Sequence, residues 1–160
     1  MLPNCEHLYS TDHRWYEHHI ADLARDYEGQ LWTQSIAWDK SKQDPEAWGI
    51  KTLTGKTDGK SLSKDPEVLH TGQNSGFAAV GLAYHLGAKR IILLGFDMMK
   101  HGNDRHWFGA HPGSMEVESN YIHFINNFKK IDCADLGIEI WNCTRRTALT
   151  CFPCYALEDI

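Results

Sequence analysis

The sequence predicts an α/β protein built on an open, mostly parallel sheet. Two observations carry that expectation. The run Ile91-Ile92-Leu93-Leu94 leads straight into Gly95-Phe96-Asp97. A continuous aliphatic stretch of this kind suits a strand buried on both faces, as parallel sheets require. Helical and strand patterns also alternate along the chain, the order that winds a sheet by right-handed crossovers. At 160 residues, 42% of them apolar, the chain has the length of one ordinary domain and can bury a core without a disulfide or metal staple.

The elements follow in order. Cys5 to Ser10 reads as a short strand carrying Leu8 and Tyr9. Thr11 and Asp12 then precede Tyr16, Ile20, Leu23 and Tyr27, spaced as an amphipathic helix with an Asp or Thr N-cap that ends at Gly29. Leu31 to Ile36 alternates like a strand. From about 39 to 68 the chain becomes rich in Lys, Gly and Ser, with one strand expected at Trp48 to Leu53. A polar stretch this long inside a compact domain is expected to be a flap or insertion, or more simply a solvated hairpin.

Asn74-Ser75-Gly76 opens a second helix through Phe77, Val80, Tyr84 and Leu86, closed by Gly87-Ala88. The aliphatic strand at Ile91 follows. A third helix is expected from about Met115 to Leu136, with Val117, Tyr121, Phe124, Ile125, Phe128 and Ile131 on one face and Gly137 as its terminal glycine. Ile138 to Trp141 reads as a last short strand closing at Asn142.

Composition excludes several functions. Sixteen Lys and Arg against twenty-one Asp and Glu give a formal charge of −5, which offers no general attraction for nucleic acid or an anionic membrane. The longest apolar runs are a few residues, far below the roughly 20 needed to span a bilayer. The first residues, Met-Leu-Pro-Asn-Cys-Glu, lack a basic region followed by an apolar stretch, so no secretion signal is expected and the location is expected to be cytoplasmic. The five cysteines are then expected to be free thiols. Cys151-Phe152-Pro153-Cys154 has the spacing of a redox motif, with core packing as the simpler reading. No Cys/His pattern points to a metal.

In open α/β sheets ligands bind beyond the carboxyl ends of the strands. Here those ends carry Gly95-Phe96-Asp97 and Asn142-Cys143-Thr144. Gly95 permits close approach of a ligand, and Asp97 suits ribose hydroxyls. Arg145 and Arg146 either pair with a phosphate or are solvated surface charges. Asn74, Ser75 and Gly76 place small polar groups at a helix N-terminus, which favours an anion; N-capping is the alternative. Asp12 either faces the same crevice or caps the first helix. The segment His101 to His111 gathers His101, Asp104, Arg105, His106, Trp107 and His111. Histidine serves as acid or base near neutral pH, and Trp107 suits stacking on a planar group.

The segment NSGFAAVGLAYHLGAKRIILLGFDM from Asn74 to Met98, followed by HWFGAHP from His106 to Pro112, resembles a family of phage and prophage proteins. That family lies in a superfamily with an archaeal hydroxymethylpterin diphosphokinase and the bacterial sialyltransferases that use CMP-sialic acid. The resemblance implies a three-layer, Rossmann-like domain spanning 1–160. Longer relatives begin with a further β-α unit, so it also implies a domain lacking that usual first unit. By the same resemblance Asn74, Ser75 and Gly76 contact the nucleotide, and Gly95, Phe96 and Asp97 line its base and ribose. His111 occupies the position of the general base, with His106 as second choice. Where the sialyltransferases carry tyrosines beyond the aspartate, this chain has Met98, Met99 and Lys100.

The expected function is therefore binding of a nucleotide or nucleotide-derived small molecule, such as a nucleotide sugar, without turnover, for sequestration or modulation. The alternatives are a glycosyl- or phosphoryl-transferase, sialyltransferase-like, using a nucleotide-linked donor with His111 as base, and a non-catalytic phage structural or assembly protein. No cofactor beyond that ligand is expected, and no metal. An edge left open by the missing first strand is expected to be covered by a second copy in a homodimer. If the chain is phage-encoded, the cytoplasm is that of the bacterial host.

Overall fold

A computed structural model describes residues 5–38, 44–100 and 119–160 of the chain. It shows the expected α/β, Rossmann-like arrangement in which every strand pairs in parallel. The strands are β1 (His7–Tyr9), β2 (Gln30–Gln34), β3 (Ile50–Lys56), β4 (Val68–His70), β5 (Arg90–Leu93) and β6 (Glu139–Asn142). The helices are α1 (His13–Asp26), α2 (Ser75–His85), α3 (Tyr121–Phe128) and α4 (Cys133–Leu136).

Among the described residues the strands fall into two groups rather than one continuous sheet. β1-β2-β3-β4 form a four-stranded sheet in sequence order, and β5-β6 form a separate pair. β3 serves two neighbours in succession: Ile50 to Leu53 lie against β2, and Thr54 to Lys56 lie against β4. The polar stretch expected as a flap therefore contributes a strand internal to the sheet, flanked by residues 39–43, which lie outside the described set.

Local chemistry explains the helix boundaries. Asp12 caps α1, its carboxylate accepting the Arg14 N–H at 3.0 Å. Asn74 caps α2, accepting the Phe77 N–H at 2.8 Å. The long third helix expected to reach Leu136 is broken after Phe128. Asp132 accepts the Asp135 N–H at 3.0 Å and starts a new short helix, because an Asp at such a point offers the backbone a better partner than helix continuation does. Gly137 ends that helix as expected, at φ 64°, a left-handed conformation that glycine adopts without a Cβ penalty. The first residues of the expected helix, up to 118, lie outside the described set.

The apolar interior is likewise divided. One core gathers Phe77 and Val80 of α2, Ile91 and Leu93 of β5, Phe128, Ile131, Leu136, Ile140, Leu149 and Phe152. The other gathers Tyr16 and Leu23 of α1, Leu31, Trp38 and Ile50. In the second core the fully buried Tyr16 donates its hydroxyl to the Trp32 carbonyl at 2.6 Å, which satisfies its polar end. Helix α2 bridges the halves. Its Phe77 and Val80 belong to the first core, its Gly81 lies against Leu69 of β4, and its Ser75 hydroxyl accepts the Thr11 N–H at 3.2 Å. Among the described residues no helix is long and apolar enough to cross a membrane.

Candidate functional site

The carboxyl ends of β5 and β6 open onto a hollow of 780 Å³, within the range typical of small-molecule sites. Gly95 and Asp97 line it from the β5 side, and Thr144, Arg145 and Arg146 from the β6 side. Tyr155, Leu157 and Glu158 complete its lining.

Hydrogen bonds hold the two rims together. Beyond the last β5-β6 pairing, the Cys143 N–H donates to the Leu93 carbonyl at 2.9 Å. The Phe96 N–H donates to the Thr144 hydroxyl at 2.9 Å, and the Thr147 hydroxyl donates to the Phe96 carbonyl at 2.6 Å. The Ala148 N–H donates to the Asp97 carbonyl at 2.8 Å. The turn itself is sharp. Gly95 has φ 74° with no neighbour within 4 Å of where a Cβ would stand, and Met98 is left-handed at φ 51°. A methionine held there stores backbone strain of order 1–3 kcal/mol, a feature that concentrates at ligand sites.

Asn142 lies beneath this rim rather than on it. It is fully buried, and its amide donates to the Leu149 carbonyl at 2.9 Å and the Thr147 hydroxyl at 3.2 Å while accepting the Thr144 N–H at 3.0 Å. Its side chain thus shapes the loop 143–149 that carries Thr144, Arg145 and Arg146. Thr144 lines the hollow and ties the loop to Phe96 at the same time.

The Asn74 turn comes close but does not line the hollow. Its amide carbonyl caps α2 and its amide nitrogen donates to the Gly72 carbonyl at 3.1 Å. Ser75 is engaged by Thr11. Gly76 lies against the Phe96 ring, so tightly that a Cβ there would sit 2.9 Å from a ring carbon. Phe96 therefore links the turn to the strand end, and its ring packs edge-on against Phe128 at 5.9 Å. Asp12 holds Arg14 in a two-point ion pair, with Nε at 2.9 Å from one oxygen. That guanidinium keeps the Asp12 carboxyl below its ordinary value. His106, Trp107 and His111 lie outside the described residues.

The sequence reading missed the contribution of segment 154–158. It reaches the site through a parallel bridge between Asn142 and Cys154, with the Tyr155 ring 5.0 Å from Trp141. Nothing in its local pattern signals a strand-like pairing. Cys151 and Cys154 are both free thiols, and desolvation pushes the Cys151 thiol above its ordinary value, away from the reactive thiolate. Among the described residues no group of three or more His, Cys, Asp or Glu is placed to hold a metal ion. A scan of family models, a search of curated proteins and a search of solved structures each found no match to the chain.

Proposed function

We propose that the chain binds a nucleotide or nucleotide-derived small molecule in the hollow at the ends of β5 and β6. Arg145 and Arg146 would hold its phosphate and Asp97 its sugar hydroxyls. The observation that carries this reading is the composition of the two rims. They bring two exposed guanidiniums, neither ion-paired among the described residues, opposite a carboxylate that closes an aliphatic strand. Guanidinium forks match phosphate oxygens, and a strand-end carboxylate matches vicinal hydroxyls. Tyr155 adds an aromatic wall against which a base can lie. Binding stands ahead of transfer because Met98, Met99 and Lys100, next along from Asp97, bring no hydroxyl to steady a departing phosphate.

Isothermal titration against CMP, UMP, AMP and GMP tests the reading. At least one is expected to bind below millimolar. The double substitution Arg145→Ala and Arg146→Ala is expected to weaken that binding roughly 10- to 100-fold, the worth of charge-assisted hydrogen bonds to phosphate. The exposed arginines contribute little to packing, so thermal stability is expected to stay close to that of the parent. Absence of binding by all four nucleotides would end the proposal, and unchanged affinity in the double variant would remove the arginines from it.

A further inference from the structure

The lining of the hollow at the ends of β5 and β6 comes from three stretches of chain, and each brings a different chemistry. Past β5 stands the Asp97 carboxylate, past β6 stand Arg145 and Arg146, and the segment 154–158 brings Tyr155, Leu157 and Glu158. Asn142 of β6 pairs with Leu93 on one side and with Cys154 on the other. The third stretch therefore starts on the side of β6 away from β5. A nucleotide is three-ended in the same sense: base, vicinal hydroxyls and phosphate all radiate from its ribose.

The third stretch has the character of a base site. Eight large apolar side chains are left exposed among the described residues, and three of them, Leu94, Tyr155 and Leu157, line this one hollow. Apolar groups gathered in the open at a hollow mark a ligand surface. An aromatic ring among aliphatic side chains is also how proteins hold a free base by its faces. The Tyr155 ring has support behind it: Trp141 lies 5.0 Å away and itself carries the Arg90 guanidinium at 4.0 Å.

Faces alone do not distinguish one base from another; polar groups at the edge do. Glu158 is the charged side chain that this stretch brings to the hollow. Among the described residues its carboxylate takes part in no ion pair, and it shares the hollow with Arg145 and Arg146 without pairing with either. A carboxylate accepts hydrogen bonds through two oxygens and donates none. Guanine presents two adjacent donors, N1–H and the 2-amino group, which match those oxygens as a two-point contact. Adenine and cytosine set one amino group beside the lone pair of a ring nitrogen, and uracil sets its N–H between two carbonyl oxygens. Against these three the carboxylate meets a lone pair, so it disfavours them as well as favouring guanine.

We infer, resting on the nucleotide reading of this hollow, that the ligand is a guanine nucleotide. Its base lies against Tyr155 and Leu157, and its N1–H and 2-amino group donate to Glu158, which sets the specificity. Asp97 and the two arginines keep the sugar and the phosphate.

Isothermal titration with GMP, IMP, AMP, CMP and UMP tests the assignment, on the chain and on Glu158→Gln. GMP is expected to bind most tightly. IMP differs only in lacking the 2-amino group and is expected to bind about 10- to 100-fold more weakly, the worth of one hydrogen bond to a charged group. Glu158→Gln is expected to erase most of that gap. It is also expected to strengthen AMP, whose amino group and N1 match the oxygen and the NH₂ of the new amide. Glu158 is exposed, so the melting temperature is expected to stay at the parent value. Binding of AMP, CMP or UMP as tightly as GMP would overturn the guanine assignment and leave the nucleotide reading standing. A preference for GMP over IMP that survives in Glu158→Gln would overturn it too, as would an equal loss of all five ligands in that variant. Absence of binding by all five to the parent chain would end both.

Discussion

Phe128→Ala is expected to destabilise the half of the molecule built on β5 and β6 by about 3–5 kcal/mol, the usual range for deleting a buried phenylalanine. The side chain is fully buried and sits at the centre of an aromatic cluster. Its ring is edge-on to Phe77 at 5.3 Å, to Phe96 at 5.9 Å and to Phe152 at 6.3 Å. Those partners come from α2, the end of β5 and the segment after β6, so no single element can move to fill the space left behind. The loss is large beside a total domain stability of about 5–15 kcal/mol. Native-state hydrogen exchange checks it: protection of Ile91 and Leu93 is expected to fall by that amount, with a smaller change in α1 and β2. Phe96 loses its support in the same variant, so nucleotide affinity is expected to drop as well. A loss under 1 kcal/mol would show that the aromatic cluster is not packed as described.

Asn142→Leu is expected to cost about 2–4 kcal/mol even though leucine is close in size and apolar. The amide serves the Leu149 carbonyl, the Thr147 hydroxyl and the Thr144 N–H, at a position with no access to water. Each buried group left without a partner costs about 1–3 kcal/mol. Asn142→Asp separates this from a packing effect. A carboxylate keeps the acceptor for Thr144 but turns a second oxygen toward the Leu149 carbonyl, which raises the pKa of the new acid in the folded state. The charged form is then the unfavourable one. The variant is expected to be least stable relative to the parent at neutral pH and to recover as the pH falls through that raised value. Denaturant melts at pH 4 and pH 7 make the comparison, and a deficit independent of pH would contradict the hydrogen-bonding account.

Much of the fold is legible in the sequence where one residue decides the local structure. Asp12 and Asn74 start helices because their side chains take up backbone N–H groups, and Gly137 ends one because it accepts a positive φ. Ile91 to Leu94 announces a strand by its aliphatic run alone. β4 is illegible for the opposite reason. Val68 to His70 is too short to show alternation, and it is held by pairing with the second half of β3 and by His85 seventeen positions away. The division of the strands into two groups is equally hidden, and the aliphatic run misleads on burial too: Ile91 and Leu93 are buried, but Ile92 and Leu94 are exposed, so the strand expected to be covered on both faces is covered on one.

The site divides in the same way. Gly95, Asp97 and Thr144 are found from the rule that ligands gather at strand ends, and they do line one hollow. Asn142 satisfies the same rule but turns its amide inward, where the Leu149 carbonyl, the Thr147 hydroxyl and the Thr144 N–H hold it. The Asn74 turn looks ligand-facing because helix caps and anion sites use the same small polar residues.

Division of the apolar interior has a consequence for how the molecule comes apart. Two nuclei that share no buried residue need not melt at the same temperature, so heating is expected to pass through a species in which one has lost its order and the other has kept it. Scanning calorimetry would register this as a measured enthalpy larger than the value inferred from the steepness of the transition. Any ligand seated at the ends of β5 and β6 would then raise the later or the earlier of the two events, and not both, which turns a simple melt into a report on which lobe it occupies.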